Sequence, residues 1–315
     1  MARHFDLHRL RLLRELKHRG TITAVAAAMS YSHSAVSQQL TVLEAELGAP
    51  LLEPDGRRVR LTAQAEVLVQ HVEAILERLD QADADLASAA EDIAGSFRIA
   101  TFQTVMVGLM PSVLTALRAD HPRLTLELAH ADPAAALSGL QVREFDLVVD
   151  EVFAGQPLVR SAAVEQSVLH RDPLRLAVPP PGSPTAAAER VSDLADADWV
   201  MEPAGSPARE WADRICHAAG FEPKVRFESP DMVVHERLVR GGHAVAFLPD
   251  LLWVEALPAV GLRRLPDSGY RDIVCSVRAG TSDHPAVVAA TSALKAACAD
   301  AVDAIAASLA AQPKG

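Results

Sequence analysis

The chain has 315 residues, half of them hydrophobic and only 4% aromatic, with a formal net charge of −11. That length exceeds one typical domain, and an apolar content dominated by Ala, Val and Leu predicts alanine-rich helices around sizeable cores. The three cysteines, Cys216, Cys275 and Cys298, are far apart and form no CxxC pair. This argues against a disulfide framework or a zinc site. They read as small buried hydrophobes, with a redox switch as the lesser alternative. The opening MARHFDLHRL has no apolar signal core, and no run is apolar enough to span a bilayer, so a cytoplasmic protein without a membrane partner is expected. The charge is unevenly spread: residues 1–62 carry +3 and the remainder −14. A basic head on an acidic body suits a chain that meets phosphate at one end only.

In chain order, Phe5 to His18 reads as an amphipathic helix with Leu7, Leu10, Leu13 and Leu16 on one face, ended by Gly20. Thr21 or Thr23 caps a short, alanine-rich helix over Ala24–Met29, and a polar turn, Ser30 to His33, follows. A third helix is expected from about Ser34 to Leu47, with Val36, Leu40, Leu43 and Leu47 as its apolar stripe. Its other face holds Ser34, Gln38, Thr41 and Ala45, with Ser37 at the edge. A helix built for solubility alone would carry Lys and Glu there. Short hydrogen-bonding side chains near a helix start are what reading base edges in the major groove requires, and glutamine can pair two-pronged with adenine. The plainer reading is a merely solvated face. Asp55-Gly56 then signals a tight turn, and Arg57, Arg58 and Arg60 follow it, as in a β-ribbon wing facing phosphate or the minor groove.

The run from Gly20 to Thr62 resembles the DNA-binding domain of the LysR-type transcriptional regulators. The likeness rests on the alanine-rich second helix, Ser32-x-x-Ala35-Val36-Ser37, Leu43-Glu44-x-x-Leu47-Gly48, and Val59-x-Leu61-Thr62. It departs at Leu51-Leu52-Glu53-Pro54, where the family often has Leu-Phe-x-Arg, and at Gln64-Ala65, where a glycine is usual. The missing arginine puts one backbone contact near the wing in doubt. The candidate DNA-binding residues are Ser32, Ser34, Ala35, Ser37, Gln38, Thr41, Arg57 and Arg58.

From Ala63 a long helix is expected. Leu68, Val72, Ile75, Leu79, Ala82, Leu86, Ala89 and Ile93 follow an a/d heptad spacing, with no Pro or Gly before Gly95. Its reading is a dimerising pair, since two heads read a two-fold site; a helix packed on its own body is the alternative.

Beyond Ser96, strand candidates Phe97–Thr101, Leu124–Ala129, Asp146–Val149, Leu174–Val178, Asp198–Met201, Val225–Glu228, Ala244–Leu248 and Asp272–Val277 alternate with helices, the last over Pro285–Ala311. Alternation predicts a parallel α/β sheet. The fold class is therefore α/β behind a winged helix-turn-helix: a head over 1–62, a linker helix over 63–95 and an effector domain over 96–315. About 220 residues suit two lobes, one over about 96–160 and 270–315, the other over about 161–269. The resemblance implies the same, two Rossmann-like lobes like those of type 2 periplasmic binding proteins, and Gly242 to Pro249 echoes it locally.

Ligands of open α/β sheets sit at strand carboxyl ends beside helix starts. That places effector candidates at Thr101, Gln103, Thr104, Asp150, Glu202, Ser206 and Asp231. Hydroxyls at Thr101, Thr104 and Ser206 suit a carboxylate; Asp150, Glu151 or Glu202 suits a cation; a zwitterion such as an amino acid would use both. The plainer reading is that Ser206, Ser229 and Asp231 cap helices.

No GxSxG, GxxxxGK[ST], HExxH or strand-borne GxGxxG occurs, and the twelve histidines are scattered, so neither an enzyme nor a metal or other cofactor is expected. A ligand-carrying module would need neither wing nor heptads, and an architectural DNA binder would not need so large a body. What the resemblance implies is a homodimer or homotetramer at interrupted promoter palindromes, responding to a small molecule and touching RNA polymerase.

Overall fold

The computed structural model describes residues 5–29, 31–55, 58–89, 93–158, 163–254, 258–265 and 268–310. The head begins with α1 (Leu7–Arg19), α2 (Ile22–Ala28) and α3 (His33–Leu47). Each starts on a side chain that accepts a first-turn N–H: Asp6 from Arg9, Thr21 from Ala24, Ser32 from Ala35. Leu10, Leu13, Leu16, Val25, Val36, Leu40, Leu43 and Leu47 close one apolar core between them. The hairpin β1 (Leu52–Asp55) and β2 (Arg58–Leu61) follows, with Asp55 opposite Arg58. Glu44 ties it to α3, its Oε1 accepting from the N–H groups of Leu51 and Leu52 at 2.8 and 3.0 Å.

The linker helix α4 (Ala63–Ser88) is capped by Thr62. It shows two faces. Ala65, Val69, Val72 and Leu76 complete the head core, while Ile75, Leu79 and Leu86 are exposed, Leu86 to 73%. Val72, expected on the dimer seam, therefore packs inside its own chain, and the outward stripe is carried by its neighbours. Ile93 packs against the core of the body.

The body's sheet has the order β10-β6-β11-β5-β3-β4, with β9 also on β6. Its strands are β3 (Gly95–Thr101), β4 (Leu124–His130), β5 (Leu147–Phe153), β6 (Val164–Val178), β9 (Ala246–Pro249), β10 (Gly261–Arg264) and β11 (Tyr270–Arg278). β7 (Asp198–Met201) and β8 (Lys224–Glu228) pair separately, in parallel. Only β3 with β4 and β5 are parallel pairs in the large sheet; β11 runs antiparallel to β5 and β6, and β6 antiparallel to β9 and β10. The sheet is thus mixed rather than parallel, because two long strands carry the chain between lobes. β6 is one of them. Its first half pairs with β11, and Leu174–Ala177 pairs with β9, so the sheet itself does not divide at 160–161. The helices α5 (Gln103–Gly108), α6 (Met110–Asp120), α7 (Pro133–Gln141), α8 (Pro207–Ala218), α9 (Met232–Arg240) and α10 (Pro285–Ala310) cover the sheets.

Polar contacts join the linker helix to the body. Asp80, 8% exposed, sits 2.6 Å from Nη1 of Arg143 and 3.5 Å from Nε of Arg278. Arg143 takes a left-handed conformation (φ 64°), and its Nη2 donates to the Leu76 carbonyl at 3.2 Å. From α1, Nη2 of Arg14 donates to the Gln141 carbonyl at 2.8 Å. Gly280 makes the close approach possible, since a Cβ there would lie 3.2 Å from the Glu77 carbonyl oxygen. Asp80→Ala leaves two partly buried guanidinium groups without their shared carboxylate. It should cost about 3 kcal/mol, a fall of roughly 6–12 °C in melting temperature. Asp83→Ala, on the exposed side of the same helix, should change little. Circular dichroism melts of the two variants check this; equal melting would remove Asp80 from the contact's energetics.

Candidate functional site

Two surfaces stand out. The first is the outer face of α3. Ser34, Gln38 and Thr41 are exposed, Ala35 and Ser37 half-buried. The Gln38 amide makes no hydrogen bond to another described residue, so its donor and acceptor face solvent together. Ser32, a base-reading candidate, is spent locally: its Oγ accepts from Ala35 N at 3.2 Å and lies 3.0 Å from Ser34 Oγ. The Thr41 hydroxyl donates back to the Ser37 carbonyl at 3.1 Å. On the hairpin, Arg60 pairs with Glu53 at 3.0 Å. Arg57 and the side chain of Arg58 lie outside the described residues. Much of the head's positive charge is answered within the chain: Arg9 by Glu46, Arg14 and Arg19 by Glu15, Lys17 by Glu66. The charge count alone therefore overstated the basic surface.

The second is a small cavity of about 40 Å³ where the lobes meet. Its apolar wall includes Trp211, Phe153 and Phe247, with Trp211 5.7 and 5.1 Å from the other two rings. Glu202, His235 and Arg271 bring polar atoms to it. Arg271 is 3% exposed, and four of its five N–H groups are used. It donates to Asp172 through Nε (2.9 Å) and Nη2 (2.8 Å), to Glu151 through Nη1 (2.5 Å) and to Thr104 Oγ1 through Nη2 (2.6 Å). His235 is 2% exposed, and its Nε2 lies 2.8 Å from the Ser229 carbonyl. A carbonyl only accepts, so the proton sits on Nε2 and Nδ1 is a bare acceptor; that Nδ1 has no partner. Burial holds the ring's pKa below the usual imidazole value, against the Ser229 bond.

Of the seven effector candidates, Glu202 lines the cavity. Burial pushes its carboxyl up to about 7, with Glu151 adding to the rise. Asp150, buried on β5, is pushed up to about 6 by burial against a 2.7 Å bond from Glu151 N. Thr104 is held by Arg271, and Thr101, 1% exposed, has an unpartnered Oγ1. Ser206 and Asp231 do cap α8 and α9, accepting from Arg209 N and from Val233 N and Val234 N. Asp231 has a second task. Gln103 Nε2 donates to its Oδ1 at 2.7 Å, and Met232 N donates to Gln103 Oε1 at 2.8 Å, clasping one lobe to the other. Arg271, His235 and Trp211 were missed in the sequence, where nothing local marks them as lining a cavity.

The three thiols are buried, and burial pushes Cys216 up to about 12 and Cys275 and Cys298 up to about 11. Among the described residues, no group of three or more His, Cys, Asp or Glu is placed to hold a metal, and no helix is long and apolar enough to cross a membrane.

An unfolded glutamate releases its proton near 4.5 and folded Glu202 near 7. Between those values the folded state keeps the extra proton, so this group's contribution falls as pH rises through that window and is fully lost above it. Glu202→Gln removes the penalty. It should stabilise the protein at about pH 8 by about 2 kcal/mol and leave it unchanged at about pH 4. Melts at both pH values test this; equal stability at the higher one would contradict the burial of that charge.

Comparison with known proteins agrees with this architecture. Residues 90–299 match the LysR substrate binding domain, and residues 7–66 match the bacterial regulatory helix-turn-helix protein, lysR family. The chain is 26% identical over 255 residues to the transcriptional dual regulator GltC of Bacillus subtilis (strain 168), covering 80% of this chain and 83% of GltC. It is 29% identical over 230 residues to a probable hydrogen peroxide-inducible genes activator of Mycobacterium avium, covering 72% of each. In fold it is similar to a full-length OxyR variant from Pseudomonas aeruginosa (TM-score 0.68, 19% identity, 93% of this chain and 96% of that one). It is also similar to full-length CbnR solved in complex with its target DNA (TM-score 0.50, 21% identity, 96% and 99%). With both the helix-turn-helix and the substrate-binding domain matched, the chain belongs to the LysR-type transcriptional regulators.

Proposed function

We propose that this regulator works in the cytoplasm as a homodimer, or a homotetramer of two such dimers, that binds interrupted promoter palindromes and changes its grip when a small molecule enters between the lobes. The observation that carries the reading is the exposed, uncharged polar face of α3, with Gln38 open to solvent at its centre. Such a face suits base edges in the major groove, Gln38 to adenine, with Ser34, Ser37 and Thr41 beside it. Ser32 and Ala35 set the helix start, and Arg57 and Arg58 serve phosphate from the hairpin. The CbnR complex shows that a protein of this fold takes up DNA.

The outward stripe of α4, Ile75, Leu79 and Leu86, supports the dimer: three large apolar side chains on one exposed helix face need a partner. The cavity, drawn in to about 40 Å³, supports the effector. A ligand of ordinary size parts the lobes on entry, and the Gln103–Asp231 clasp is the contact that yields. The response requires unequal affinity for the two arrangements, read out by RNA polymerase at the promoter. Several relatives are named for hydrogen peroxide induction. A thiolate is the nucleophile that attacks peroxide, and the three buried, high-pKa thiols here offer little of it, so the signal is read as a bound molecule.

Selection of bound fragments from sheared genomic DNA should enrich sites with dyad symmetry. On such a site Gln38→Ala should lose roughly 1–3 kcal/mol of discrimination between the correct base and a substitute, seen in anisotropy titrations; unchanged discrimination would move the reading head elsewhere. Leu79→Glu with Leu86→Glu should sediment as a monomer with its circular dichroism intact, because both side chains are exposed in the single chain. A persisting dimer would place the seam on another surface.

A further inference from the structure

Glu202 and His235 both line the interlobe cavity, and the buried Nδ1 of His235 has no partner. The Nε2 proton is already given to Ser229 at 2.8 Å, so that lone pair answers only to a donor. Asp132 and Glu151 both act on Glu202 through space, and Asp132 acts on buried Asp150 as well. The cation at hand, Arg271, has its three nitrogens committed to Asp172, Glu151 and Thr104. One of its five N–H groups, on Nη1, is left over, and the two carboxylates already offset its charge. At the start of α8, Pro207 brings no N–H and the Arg209 N–H is taken by Ser206, which leaves that of Ala208. The remaining wall is apolar and includes Trp211, Phe153 and Phe247 with Met201 and Met232, and aromatic ring faces favour a cation.

Resting on the reading of this cavity as the effector site, we propose that the effector is a cation, an amine on an apolar stem. Its N–H groups are received by Glu202 and by Nδ1 of His235, and its stem lies against Trp211. The zwitterion weighed from the sequence is disfavoured in its anionic half, because its carboxylate would meet Glu151 and Asp172, which already offset the guanidinium's charge.

Three probes of nearly one shape decide the matter: benzylamine, benzyl alcohol and benzoate. Each is titrated into the full-length protein at constant ionic strength near pH 8, followed by tryptophan fluorescence and by melting temperature. Benzylamine should saturate at least about tenfold tighter than benzoate, and Glu202→Gln should erase most of that preference. If benzoate or the alcohol binds as tightly as the amine, the cavity keeps its role and the cationic effector is overturned. If none of the three saturates into the tens of millimolar, the cavity reading falls and this proposal with it.

Discussion

The body is organised around one buried guanidinium. Arg271 stands on β11 directly opposite Asp172 on β6, and these are the strands that carry the chain between the lobes. Asp172 is fully buried, and its other oxygen accepts from Leu251 N at 3.0 Å. Glu151 arrives from the end of β5 and Thr104 from the first turn of α5. Taking these charges out of water is expensive, and a well-packed apolar set often matches such a cluster in stability. What apolar packing does not supply is register. The cross-strand pair admits one alignment of β6 and β11, and that alignment sets where the lobes meet and how wide the cavity between them is.

The same constraint explains the cavity's sign. With two carboxylates on one guanidinium, the neighbourhood carries surplus negative charge before Glu202 is counted. Burial raises Glu202 most, Glu151 and Asp132 add to the rise, and Ser206 and Arg271 oppose it. A ligand is then favoured by what it returns to the site, a donor and a positive charge.

The head was legible because its information is local. The leucine spacing of α1 and α3, the cap at Thr21 and the glycine at 48 act within a few residues, and the sequence reading placed those three helices within one or two positions, whereas it ran the linker helix to 95 and α4 ends at Ser88. The linker heptad was half right for a physical reason: α4 has two apolar faces, and a single a/d pattern drawn through both assigned Val72 to the wrong one. The body was read less well. The first half of β6 and all of β10 show little apolar run, since β6 lies at the lobe junction and β10 at an edge. Arg271 was invisible, since its partners stand 99, 120 and 167 residues away, and nothing local marks an arginine as buried. Ser206 and Asp231 were legible as caps for the same local reason that Glu44, bracing the hairpin from seven residues off, was not.

One strand joins the cavity to the linker helix. β11 carries Arg271 at the cavity and, seven residues on, Arg278, whose guanidinium meets Asp80 of the linker helix. At about 3.4 Å per residue those ends lie roughly 24 Å apart, within a strand hydrogen-bonded on both sides and so poorly able to bend. The linker helix meets the strand through charge and through the bare backbone at Gly280 rather than through interlocked apolar side chains. A polar seam of that kind tolerates small sliding better than a close-packed core does. Under the proposed reading, a ligand that displaces Arg271 displaces a stiff element whose far end bears on the helix that spaces the two heads. The coupling then needs no path of small side-chain moves, only a strand with a site at each end and a seam able to take up two positions.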